Sequence, residues 1–251
     1  MLAGLLMSGS AFGWGREGHE TIAKIADNNL KPSARKVIEK YLGDHSIVYY
    51  AKWMDEYRHT PEYAFTTKWH VARVDEDLRY SPYPEAGDAV SAINDAVELL
   101  KDYKNLPDST VAVNIKYLLH LVGDMHCPEH IQYNPEDMSI GKYKVRFDNR
   151  NVKYHTFWDE EVFTRRNPFS FSDTALLLDT WSDERIAATV AGGPYDWAEE
   201  SARRSYPVHA YKEGAELKRV PYLNEFTPLA EDQIRRAGYR LAKLLNDIFG
   251  R

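Results

Sequence analysis

The chain has 251 residues, 43% hydrophobic and 28% charged, a composition that suits a globular fold with one full core. The 32 Lys and Arg face 38 Asp and Glu, and the resulting net charge of −6 excludes the broad basic footprint of a duplex-binding protein. A single cysteine, Cys127, excludes an internal disulfide.

Residues 1–13, MLAGLLMSGSAFG, are uncharged and apolar. They are too short to span a bilayer and end in a small-x-small pattern. They read as an export signal peptide whose own start lies upstream, cleaved before Trp14. The expected localisation is periplasmic or secreted. No other stretch approaches about 18 apolar residues, so no membrane span is expected. From Trp14 onward the period is helical. Gly18–Leu30 carries Ile22, Ile25 and Ala26 on one face. Pro32 opens a helix through Tyr41, stopped by Gly43. Ile47–Tyr57 reads as a third helix, and Pro61–Pro84 as a loop with an irregular aromatic stretch. Asp88–Tyr103 is amphipathic. Asp108 or Ser109 caps a long helix through Val122, and Pro128 ends it. Residues 131–154 are turn-rich, and the alternation of Tyr143, Val145 and Phe147 suggests a small hairpin. His155–Phe163, Asp173–Ala191, Tyr195–Tyr206 and Leu229–Phe249 complete the helices. The expected architecture is one all-α, multi-helix domain, residues 14–251, with long loops.

Two segments share an internal spacing. His120-Leu121-Val122-Gly123-Asp124 and His155-Thr156-Phe157-Trp158-Asp159 are both H-x-x-x-D. On a helix, residues i and i+4 share a face, so an imidazole and a carboxylate so spaced can hold one zinc ion. The first pair sits among Ile115, Leu118, Leu119, Leu121 and Val122, where unpartnered polar groups are costly and a metal would satisfy both. His130 follows closely. Farther upstream lie His19, Asp55 and His70. Asp55 and His59 are also an i, i+4 pair, so spacing alone leaves His59 and His70 as alternative partners. Read from the residues, this is a helical protein with a His/Asp zinc site.

Taken together, Trp14-Gly-x-x-Gly-His19, Trp53-Met-Asp55, Trp69-His70, His120-x-x-Gly-Asp124-x-His-x-Pro-x-His130 and His155-x-Phe-Trp-Asp159 resemble the single-strand-specific zinc nucleases of fungi, plants and bacteria. That family shares its fold and site with the bacterial zinc-dependent phospholipases C. The Trp-Gly-x-x-Gly-His start favours the nuclease branch. The resemblance implies three zinc ions per chain. It assigns Asp55, His70, His120 and Asp124 to one, and His130, His155 and Asp159 to a second. The α-amino nitrogen and carbonyl oxygen of Trp14, with His19 and a bridging Asp124, go to the third. It also selects His70 over His59 and gives Asp55 and Asp124 the catalytic role. Clustered zinc ions hold phosphate oxygens and lower the pKa of bound water toward about 7, and the hydroxide would attack phosphorus in line. The implied activity is hydrolysis of phosphodiester bonds in single-stranded DNA and RNA to 5′-phosphate products, with 3′-nucleotidase activity beside it. A zinc-dependent phospholipase C-like phosphodiesterase and a non-catalytic zinc-stabilised binding protein are the alternative readings.

Outside the metal motifs the chain departs from the fungal pattern. His70 is followed by Val71, Ala72 and Arg73, where fungal members carry an aromatic ring and then an acidic residue. Ser139-Ile140-Gly141-Lys142 stands where a base-contacting loop is expected. Arg73, Lys142 and Tyr143 are therefore the candidate substrate contacts: two cations for phosphate and one ring for stacking. Cys127 reads as a small buried residue beside Pro128, not a ligand. The expected partners are single-stranded nucleic acid or nucleotides, bound by a monomer with no stable affinity for duplex.

Overall fold

The computed structural model describes residues 14–43, 45–83, 85–133, 143–165 and 168–250. The proposed signal peptide and Lys142 lie outside them. Among the described residues the fold is all-α, with two small sheets that serve as clamps.

Helix α5 (Asp108–Asp124) is the central element. From Tyr117 to Asp124 every residue is buried, so this half has no solvent face. A helix buried all round needs neighbours on every side. Those neighbours are α1 (Arg16–Asn28), α2 (Pro32–Leu42), α3 (Trp53–Tyr57), α4 (Ala89–Leu100) and α10 (Arg219–Phe249). α1 buries Ile22, Ile25 and Ala26 against α10. Each fully buried Ile is worth roughly 1.5–3 kcal/mol. The two helices meet where α10 carries Gly238, since a Cβ there would come within 2.6 Å of Ile25.

The expected boundaries hold for α1, α2 and α4 to within a few residues, and Asp88 caps α4 through the backbone amides of Val90 and Ser91. Four departures have physical causes. The long central helix starts from Pro107 at its N-cap, and neither Asp108 nor Ser109 caps it. The expected helix over Ile47–Tyr57 is a 3₁₀ turn, Ile47–Tyr50, followed by the short α3. It breaks because the Ala51 carbonyl accepts a hydrogen bond from the His120 ring. The expected helix over Asp173–Ala191 is two, α7 (Phe171–Leu178) and α8 (Asp183–Thr189). At the junction Asp179 accepts hydrogen bonds from Asn28, Asn29 and Tyr239, side chains that no local pattern reveals. Finally, α10 begins at Arg219 rather than Leu229, with Pro228 inside it. A proline normally ends a helix. Here buried Leu223, Phe226 and Thr227 hold the preceding turns in place.

The hairpin is present as β3 (Lys144–Phe147) and β4 (Arg150–Lys153), turning through Asp148 and Asn149. Both turn residues have positive φ, 50° and 61°, as this tight turn requires. β5 (Glu216–Leu217) pairs in parallel with β3. The other sheet, unforeseen from sequence, joins β1 (Ala72–Arg73) in parallel to β2 (Ile131–Gln132). It brings the chain after His70 beside the chain after His130.

Candidate metal centre

Six segments deliver polar side chains into one buried volume. His19 comes from α1, Asp55 from α3 and His70 from the turn before β1. His120 and Asp124 come from the last turns of α5. His130 closes the 3₁₀ turn after it, and His155 and Asp159 straddle α6 (Tyr154–Phe157) and a π turn, Trp158–Val162. All eight are buried.

Asp124 lies at the middle. Its Oδ1 is 3.3 Å from His19 Nε2 and 3.7 Å from His130 Nδ1. Its Oδ2 is 2.8 Å from His70 Nδ1 and 3.2 Å from His120 Nε2. Asp55 Oδ1 lies 3.5 Å from His120 Nε2 and 3.8 Å from His70 Nδ1. On the far side, Asp159 Oδ1 is 3.7 Å from His130 Nε2, and its Oδ2 is 3.3 Å from His155 Nε2. Both H-x-x-x-D pairs thus face the same way, as the spacing predicts. His59 is exposed and takes no part, whereas His70 lies inside.

Few of these close approaches are hydrogen bonds. Both ring nitrogens of His19, both oxygens of Asp55, His70 Nε2, Asp124 Oδ1, His130 Nε2 and Asp159 Oδ2 are buried without a hydrogen-bond partner. Leaving so many buried polar atoms unpaired costs about 1–3 kcal/mol each. Donors within 4 Å that do not align on one another point instead at common positions between them, which is what bound cations need. The donor set, neutral imidazoles with carboxylates, is the one zinc prefers. The rings are also oriented from behind. His120 Nδ1–H donates to the Ala51 carbonyl at 2.9 Å, and His155 Nδ1–H donates to the Glu129 carbonyl at 3.0 Å. Each bond fixes the tautomer and leaves Nε2 facing inward.

The electrostatics agree. Burial, aided by His120, pushes His19 down to about 4, and burial with His130 pushes His155 down to about 3. Both rings are therefore neutral at pH 7, the form that ligates metal. Burial works against charge on His120 as well, but Asp124 and Asp55 outweigh it and raise that ring to about 10. A cluster that draws a proton onto a fully buried histidine favours a positive charge at its centre.

Backbone contacts set the spacing. Gly123 has no room for a Cβ, which would come within 2.9 Å of His19 Nδ1. The His19 ring uses that gap to lie flat on His120, with centroids 4.1 Å apart. The amide of Gly15 donates to the Asp159 carbonyl at 2.6 Å, and so ties the buried Trp14 to the second H-x-x-x-D segment. Trp158 Nε1 and the Tyr154 hydroxyl both meet the Tyr222 hydroxyl, which anchors the π turn to α10.

A model described as S1/P1 Nuclease matches residues 14–250. This chain belongs to the S1/P1 nuclease family. Nuclease S1 of Aspergillus oryzae is 26% identical to it over 281 residues, covering 97% of this chain and 94% of that protein. Nuclease P1 of Penicillium citrinum is 25% identical, covering 94% and 98%. Endonuclease 2 of Arabidopsis thaliana is 25% identical, covering 95% and 91%. The S1/P1 match begins at Trp14, the first residue of the sequence motif.

The remaining candidates fare unevenly. The Arg73 guanidinium lies over the Tyr83 ring, 4.9 Å from its centroid, on the strand that follows His70. Tyr143 is half-buried, and its ring is 5.3 Å from that of Tyr154. Lys142 is outside the described residues. One residue escaped sequence reading: Glu129 is fully buried between Pro128 and His130, with neither carboxylate oxygen hydrogen-bonded. Burial pushes it up to about 8, and His209 Nδ1 lies 3.7 Å away. Its place inside the Pro-x-His turn was the available signal.

Proposed function

We propose that this protein is a zinc-dependent hydrolase that cleaves phosphodiester bonds of single-stranded DNA and RNA to 5′-phosphate products and removes 3′-phosphates from nucleotides. The observation that carries this reading is the convergence of buried, misaligned His and Asp donors on shared positions. Family membership favours nucleic acid over a lipid head group as the substrate.

Asp55, His70, His120 and Asp124 would hold one zinc, His130, His155 and Asp159 a second, and His19, Asp124 and Trp14 a third. When bound, such ions neutralise phosphate charge and make water acidic enough to supply a nucleophile near neutral pH. The chain's own residues do the rest. Asp124 presents its two oxygens to different sets of histidines and so fixes their separation. Asp55 keeps carboxylate character, because His120 and His70 outweigh its burial. Arg73, held over Tyr83, supplies a cation for a substrate phosphate, and Tyr143 and Lys142 complete the substrate side.

Donation by Trp14 requires a free α-amine. Export with cleavage before Trp14 would therefore complete the third position. Two proteins test this, one starting at Trp14 and one with a single added residue. The added residue should lower zinc content and activity, and equal values would refute the idea. For the activity, the zinc-loaded protein starting at Trp14 is assayed on single-stranded DNA, RNA, 3′-AMP and phosphatidylcholine. Hydrolysis of the first three should vanish with chelator and in His120→Ala. Activity indifferent to both would sink the reading. Size-exclusion chromatography should show a monomer.

A further inference from the structure

The single cysteine lies against the second half of the metal centre. Cys127 is fully buried, and its thiol donates to Asp159 Oδ1 at 3.8 Å, a hydrogen bond that a metal–sulfur bond would replace. That same oxygen is 3.7 Å from His130 Nε2. Donor atoms of Cys127, His130 and Asp159 all lie within 4.8 Å of one another. The local backbone explains the pairing. Cys127 and His130 bracket the 3₁₀ turn Pro128–His130, whose closing bond runs from the His130 amide to the Cys127 carbonyl at 2.9 Å. In such a turn residues i and i+3 eclipse, so both side chains leave the same edge. Independently of the thiol, His130 Nε2 and Asp159 Oδ2 are buried here with no hydrogen-bond partner.

We propose that Cys127 Sγ, as a thiolate, is a further protein donor to the metal ion held by His130, His155 and Asp159. This rests on the metal-centre reading above and replaces the expectation that Cys127 merely fills space. Binding forms a metal–sulfur bond and releases the thiol proton to water. The other cluster, around Asp55, His70, His120 and Asp124, offers only nitrogen and oxygen. The centre is then chemically lopsided: imidazoles favour zinc over magnesium or manganese at both ends, and a soft sulfur donor strengthens that preference, and admits cadmium, at one end only.

The test is spectroscopic and uses the full metal-loaded protein. Zinc-edge X-ray absorption should require a sulfur scatterer at about 2.3 Å. Cobalt-substituted protein should show sulfur-to-cobalt charge-transfer absorption in the near ultraviolet. Cys127→Ser should abolish both signals and weaken metal affinity at one position by at least about tenfold, leaving the other metals bound. Full metal loading of the unaltered protein with neither sulfur signal overturns the proposal and spares the metal centre. Failure to bind zinc at all overturns both. Because the unaltered protein carries the decisive signals, a Cys127→Ser variant that does not fold changes nothing.

Discussion

His120 and His126 occupy the same buried stretch, one in the last turns of α5 and one just past its end, yet their surroundings are opposite in kind. His126 is fully partnered. Its Nδ1–H donates to the Val122 carbonyl at 2.7 Å, and its Nε2 accepts from Arg240 at 2.8 Å. Arg240 goes on to the Thr189 carbonyl and to Glu200, which also accepts from Arg236. Around His120 the neighbouring histidines and carboxylates lie close but leave donor after donor without a hydrogen bond. Burial and residue type are the same in both places. What separates a structural polar network from a candidate cation site is whether the atoms aim at one another or past one another.

That contrast is open to direct attack. The largest expected effect is at Asp124. Changing a residue that orients a ligand typically costs 10–100-fold. Asp124→Asn, at the centre of the donors, should exceed about a hundredfold in activity and lose zinc, both measurable on one preparation. Arg240→Met attacks the other network. Removing one partner of a buried charged set costs about 3 kcal/mol. Chemical denaturation should show that loss while zinc content stays at the level of the unaltered protein. A large zinc loss would erase the distinction between the two regions. Gly123→Ala should be milder, displacing His19 and lowering zinc affinity roughly tenfold, with little change in stability after chelation.

The smallest effect is a pH dependence in the Arg240 network. Burial opposes charge on Glu200, but Arg240, Arg204 and Arg236 outweigh it and hold the carboxyl down at about 2, below its ordinary 4.5. A depressed carboxylate stabilises the fold fully above its unfolded value. Its contribution fades as pH falls from about 4.5 toward about 2. Glu200→Gln should therefore cost less than about 1 kcal/mol at pH 7, as for partly exposed ion pairs. Melting curves of the two proteins should converge as pH is lowered through that window.

The two regions also differ in how far sequence reached them. His120, Asp124, His155 and Asp159 were visible because a helix turns spacing into direction; His19, Asp55, His70 and His130 stood out only as polar candidates, and the motif resemblance gave them places and chose His70 over His59. The break at Ala51 was not visible, since its cause is a ring on another helix. The β1–β2 pair was equally hidden, because two-residue strands leave no period. Glu129 and the Arg240 network depend on burial by α9 (Pro194–Ser205) and α10, which local pattern cannot report. The start of α10 was missed for a related reason: packing carries the helix through Pro228, where the local pattern alone would stop it.

The parallel pairing of β1 with β2 bears on how the molecule is made. The cavity's bonds join residues far apart along the chain: His70 to Asp124 across 54 positions, and His120 to Ala51 across 69. Long loops must close before any of these contacts gives a return, and loop-closure entropy sets that delay. Helices can form early in a refolding chain, but the donors meet only when distant segments, such as those paired at Ala72 and Ile131, have come together. Zinc uptake during refolding should then lag the recovery of helical circular dichroism, making metal capture a clock for the last step of folding.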